Sequence, residues 1–106
     1  MAYAVINVTG KILNPDGLGV AGGRMEYGLD RVGTVDDGDT HMLLGRTVIE
    51  IGPTGDIDID VISNDDIVPS GSRYNVLIVA RDGTTYKMAW EIPNTPASQD
   101  IGGIIV

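Results

Sequence analysis

His41 is the only imidazole in the 106-residue chain, and a nucleophilic mechanism would have to run through it. Activating a serine takes a base within hydrogen-bond reach and a third group that orients the base. Ser63, Ser70, Ser72 and Ser98 all fall in stretches of turn composition, where a hydroxyl ordinarily bonds to nearby backbone. No triad is expected, and the chain reads as non-enzymatic. Gly22-Gly23 and Gly102-Gly103 are not followed by a helical pattern, so neither supplies the helix N-terminus of a phosphate cradle. No cofactor is expected.

The carboxylates form two groups. Asp36, Asp37 and Asp39 gather around Gly38, and clustered oxygens suit a hard cation. The ligand set is shorter than a twelve-residue calcium loop and lacks its terminal bidentate glutamate, so solvated loop charge is the expectation and no metal site is assigned. Asp56, Asp58 and Asp60 alternate with Ile57, Ile59 and Val61. Alternate strand residues stand about 7 Å apart, too wide for three carboxylates to share one ion. They read as a wet face and a guard against sheet stacking. Asn64-Asp65-Asp66 reads as a turn. The aromatic residues are Tyr3, Tyr27, Tyr74, Tyr86 and Trp90. A carbohydrate-binding or adhesion module needs at least two of them exposed side by side, whereas Tyr86 and Trp90 are expected in the core.

The elements that must position these residues are strands. Few stretches of ten residues escape a glycine or proline, and no i, i+3, i+4, i+7 apolar pattern persists. Ala2 to Leu13 predicts a first strand running into the turn Asn14-Pro15-Asp16-Gly17, and Arg24 to Leu29 a weaker second one. Asp30 to Thr40 reads as an acidic loop. Met42 to Ile51 and Asp56 to Ser63 flank Gly52-Pro53-Thr54-Gly55 and predict a hairpin with a four-residue loop. Arg73 to Ile92 predicts another around Asp82-Gly83. With those two residues as the whole loop, Arg81 opposes Thr84, Val79 opposes Tyr86 and Asn75 opposes Trp90. Tyr86, Met88, Trp90 and Ile92 then share the core face, and Tyr74, Val76 and Ile78 fall on the opposite one. Those three need cover, either from the Asp30–Thr40 loop or from a subunit interface. Pro93 and Pro96 bar residues 93–100 from a central strand, and Ile101 to Val106 predicts a final short apolar strand that must be buried.

Composition sets the limits. The length suits one domain over residues 1–106 with a single core. Fifteen glycines point to frequent tight turns, and the absence of cysteine leaves packing, or association with further copies, to stabilise the fold. Seven basic against fifteen acidic residues give a formal charge of -8, which repels phosphate backbones and anionic lipid, so nucleic acid is not an expected partner. No basic leader with an apolar run and no membrane-length apolar segment is present. The expectation is a protein that stays in the cell that makes it unless it leaves within a particle. About seven short strands joined by glycine, proline and aspartate turns fit an all-β, two-sheet sandwich better than a barrel.

The order of segments resembles a known type. Val8-Thr9-Gly10-Lys11-Ile12-Leu13-Asn14-Pro15-Asp16-Gly17 followed by Val20-Ala21-Gly22-Gly23-Arg24-Met25 resembles the opening of carboxypeptidase-regulatory-like and transthyretin-like sandwiches. Gly55-Asp56-Ile57, Pro69-Ser70-Gly71-Ser72 before Arg73-Tyr74-Asn75-Val76, and Trp90-Glu91-Ile92-Pro93 before Ile101-Gly102-Gly103-Ile104 are similar to small β-sandwich modules of tailed-phage virion proteins. The resemblance implies an Ig-like or transthyretin-like fold, no catalytic residues, and a place in the virion after synthesis in the host cytoplasm. A free-standing module of this length, without an appended shaft, suits a capsid decoration or head/tail accessory protein. Its partners would be capsid or tail protein and further copies of itself. The candidate interface is Tyr74, Val76 and Ile78 together with Ile101, Ile104, Ile105 and Val106.

Overall fold

The computed structural model describes residues 4–13, 22–35, 41–42 and 45–106. It is an all-β sandwich. Strand β1 (Val5–Lys11) alternates buried Ile6 and Val8 with outward Val5, Asn7 and Thr9, the period of two that places one face on a core. It lies between β6 (Asp56–Ile62), antiparallel, and β10 (Ser98–Asp100), parallel. The facing sheet has the order β5 (Thr47–Glu50), β2 (Arg24–Leu29), β8 (Tyr74–Val79), β9 (Thr85–Trp90), all antiparallel. A small third sheet sets β3 (Gly33–Val35) between β4 (His41–Met42) and β7 (Ile67–Val68). Ile6, Val8, Ile57 and Val61 from the first sheet meet Met25, Leu29, Val76, Ile78 and Trp90 from the second in one cluster. No helix among the described residues is long and apolar enough to cross a membrane.

The β8–β9 hairpin does not have the expected loop. Arg81, Asp82 and Gly83 all lie in it: the Ala80 N–H donates to the Thr84 carbonyl at 2.8 Å and the Gly83 N–H to the Ala80 carbonyl at 2.9 Å. A two-residue loop of the Asp-Gly kind needs positive φ at both residues. Here only Gly83 has it, at 91°, while the Asp82 carboxylate accepts from the Thr84 N–H at 2.9 Å. The extra residue shifts the register by one, so Tyr74 faces Trp90, Val76 faces Met88 and Ile78 faces Tyr86. A one-residue slip exchanges the two faces of a strand. Tyr74, Val76 and Ile78 are therefore core residues, 3%, 2% and 1% exposed, on the same side as Trp90. The outer face of β8 carries Asn75, Leu77 and Val79.

The Gly52–Gly55 segment is a turn, closed by the Gly55 N–H on the Gly52 carbonyl at 3.0 Å, but its arms are not a hairpin. The Ile51 N–H donates to Gly23 and the Ile12 N–H to Gly55, sending β5 to one sheet and β6 to the other. An arch between sheets buries Ile51 and Ile57 in the same core, which a flat hairpin would not do. Arg24–Leu29, the weaker strand by sequence, is central in its sheet because Met25, Tyr27 and Leu29 all turn inward.

Candidate functional site

The two main sheets are joined differently along their two sides. On one, β10 extends the first sheet beside β1, residues 101–103 make a single 3₁₀ turn, and residues 104–106 run antiparallel along β9. The Glu91 N–H donates to the Ile104 carbonyl at 2.9 Å and the Val106 N–H to the Ala89 carbonyl at 3.0 Å. The predicted strand over 101–106 is thus a turn followed by an edge pairing. Ile101 packs on Gly10, where a Cβ would come within 2.8 Å of its Cδ1, and Ile101 and Ile104 are buried while Ile105 and Val106 are 48% and 56% exposed.

On the other side, β5 and β6 are neighbours in sequence but belong to different sheets, and a cleft of about 230 Å³ lies near them, lined by Tyr27, Gly28, Leu29, Gly45, Thr47, Asp60, Val61, Ile62 and Tyr74. The Tyr74 hydroxyl donates to the Ile62 carbonyl at 2.7 Å. Tyr27 stands edge-on to Tyr74 and stacks on Trp90, with centroids 6.3 and 6.4 Å away. Burial pushes the Tyr74 phenol far up, and the neighbouring Tyr27 adds to it. Burial also raises Tyr27, against a hydrogen bond with Thr47 that lowers it and with the Asp60 charge raising it further. Both phenols stay protonated at neutral pH, so neither supplies a base. Through its described residues the cleft can hold a small group by aromatic contact and hydroxyls.

A second cluster, whose members carry only turn signals in the sequence, is built from Ser63, Asn64 and Ser72, all buried. The Asn64 side chain accepts from the Ile92 N–H at 2.8 Å and donates to the Ser72 hydroxyl at 3.1 Å. The Ser63 hydroxyl donates to the Ile92 carbonyl at 2.9 Å and accepts from the Asp65 N–H at 3.1 Å. Asp66 reaches back to the Ala4 N–H at 2.8 Å. This ties the end of β6 to the end of β9 and to the approach to β8. Asn64–Asp66 is the expected turn, here a short 3₁₀ turn with Ser63 as its cap. The pattern Ser63-x-x-Asp66, a helix-start signature, was the legible signal for it. No buried side-chain polar atom among the described residues lacks a partner. These hydroxyls are spent on the frame.

The aspartate face is where the alternation places it: Asp56, Asp58 and Asp60 are exposed, and the Asn7 amide donates to Asp58 at 2.6 Å and to Asp60 at 3.2 Å. No group of three metal-ligating side chains forms among the described residues. Asp36, Asp37, Asp39 and Tyr3 lie outside them, as does the Asn14–Gly17 turn. The backbone at His41 pairs with Thr34. Trp90 and Tyr74 are interior and Tyr27 is half-buried, while Tyr86, opposite Ile78 on the core face but near the hairpin end, is 44% exposed and so less covered than expected. A scan against protein-family models and a search of the curated proteins find no match for this chain.

Proposed function

We propose that this chain is a non-enzymatic structural component of a phage virion, a capsid decoration or head/tail accessory protein that binds capsid or tail protein. One observation carries the reading. Residues 104–106 are held to β9 by backbone bonds, yet Ile105 and Val106, which alternate to opposite sides of that pairing, each turn about half their surface outward, so this edge holds two exposed apolar side chains on a frame whose buried hydroxyls are already spent. Ile101 and Ile104 anchor that segment from inside, and Tyr74, Val76 and Ile78 belong to the core that supports it. The resemblance of the turn and strand segments to tailed-phage sandwich modules supplies the class of partner, and a charge of -8 argues against the packaged nucleic acid as the surface it grips.

The experiment is to purify particles from a host carrying the gene and analyse them by mass spectrometry. The chain is expected in intact particles in the amount of a structural protein, and Ile105→Asp with Val106→Asp is expected to reduce its incorporation at least about tenfold. Its absence from particles would overturn the assignment.

A further inference from the structure

We propose that two copies of this chain pair through β5, antiparallel, about a two-fold axis at Val48, joining their second sheets into one continuous sheet. The proposal rests on the reading of the chain as an assembling component and names the surface by which it would assemble with itself.

The backbone fixes which groups are available. The Ile51 N–H donates to the Gly23 carbonyl, in register with Ile49 opposite Met25 and Thr47 opposite Tyr27. In an antiparallel ladder consecutive residues point their N–H and C=O to opposite sides. Thr47, Ile49 and Ile51 therefore point at β2, while Arg46, Val48 and Glu50 point away from the sheet, where no backbone partner meets them among the described residues. Directly opposed residues share a face, so a second copy that keeps both cores on the same side must oppose residues of equal parity. An axis at Val48 does this. Val48 then faces Val48 as a hydrogen-bonded pair, and Arg46 of each copy faces Glu50 of the other as another.

The side chains favour the same register. Val48 is 55% exposed at the centre of the edge, and the two residues flanking it at equal distance carry opposite charge. Arg46 already leans across the sheet to Glu26 at 3.3 Å, and its guanidinium has donors to spare for a second carboxylate. The β6 and β9 edges differ. By the same alternation the outward groups of β6 belong to Asp56, Asp58, Asp60 and Ile62, since Ser63 and Gly55 bond to the β1 side. A second copy there would set aspartate against aspartate, and the Ile62 carbonyl is taken by Tyr74. Residues 104–106 cover the β9 edge from Ala89 to Glu91, which breaks the continuity a strand-to-strand pairing there would need.

Sedimentation velocity of the whole chain at increasing concentration, at low and moderate salt, is the test. A reversible dimer is expected, weakened by salt. Val48→Pro removes an N–H that β2 does not use, so it leaves the β2 ladder intact and is expected to abolish the dimer with the far-ultraviolet spectrum unchanged. Arg46→Glu alone and Glu50→Arg alone each place like charges across the axis and are expected to be monomers. Mixed together they restore opposite charges at both positions, and a heterodimer at least about tenfold tighter than either self-association is expected. Wild-type chain that stays monomeric at sub-millimolar concentration overturns the proposal, as does a dimer indifferent to Val48→Pro or a mixture that fails to pair. A monomer found in particles sinks the pairing alone, and a β5 dimer absent from particles sinks the virion reading alone.

Discussion

The Asn64 amide joins three parts of the chain that are distant in sequence, because its oxygen accepts from Ile92 and its nitrogen donates to Ser72, both from a buried position. A buried network of this kind contributes little net stability when complete, and its loss is costly when one member goes, since the partners keep their desolvation and lose their bonds. Asn64→Leu strands the Ile92 N–H and the Ser72 hydroxyl together, and urea denaturation is expected to show a loss of about 2–4 kcal/mol. Ser72→Ala, which removes one bond and leaves one amide hydrogen to find water, is expected to cost about 1 kcal/mol. Equal losses in the two variants would mean that Asn64 acts by its volume and not by its bonds. The residue bears on the proposed interface indirectly: the knot holds the ends of β6 and β9, and β9 is the strand that residues 104–106 pair with.

At the level of elements the closing segment depends on a space, since Ile101 occupies the position that a side chain on residue 10 would fill, with its Cδ1, Cγ1 and Cβ at 2.8, 3.0 and 3.3 Å from an ideal Cβ there. The tip of an isoleucine can turn away from one methyl group, but two branches on residue 10 leave it no room. Gly10→Val is expected to lower stability by about 2–3 kcal/mol and to speed amide exchange at Glu91 and Val106, the ladder of residues 104–106, ahead of exchange in β1 and β6. Uniform acceleration across all strands would show that the segment does not release as a unit. The sequence displayed the alternation of β1 and β6, the aspartate face and the turns at Gly52–Gly55 and Asn64–Asp66, because those are local and periodic. It did not display pairing. Asp82-Gly83 looks the same whether Arg81 is in the strand or in the loop, and the φ of Asp82 decides, which places Tyr74, Val76 and Ile78 in the core. Gly52-Pro53-Thr54-Gly55 bends the chain in a hairpin and in an arch alike, so nothing local in the sequence marks β5 as the outer strand of its sheet. Of the candidate interface only Ile105 and Val106 face outward, because the rest of that apolar run is needed to fill the core.

For the whole molecule, two effects act as pH rises, and they differ in range. The formal charge of -8 repels itself across the surface, an effect that salt screens over roughly 8–30 Å depending on ionic strength. Tyr74, and Tyr27 with it, has its folded pKa raised by burial, an effect that surface salt barely reaches. A group raised above its unfolded value of about 10 contributes stability that is fully present below that value. The contribution is lost as pH climbs toward the folded value, because the unfolded chain releases the proton first and the fold must hold it. Stability is therefore expected to vary little through neutral pH and to fall above about pH 10. Raising salt is expected to lift the whole curve while leaving the alkaline slope in place, and Tyr74→Phe to make that slope shallower at every salt concentration. The same variant loses the hydroxyl on the Ile62 carbonyl and should sit about 1 kcal/mol lower near neutrality, so its curve is expected to approach the wild-type one as pH rises. Urea denaturation at several pH values and two salt concentrations separates the outcomes. An alkaline slope that salt abolishes would place the loss in surface repulsion, and a slope unchanged by Tyr74→Phe would remove the buried phenol beside the cleft as its cause.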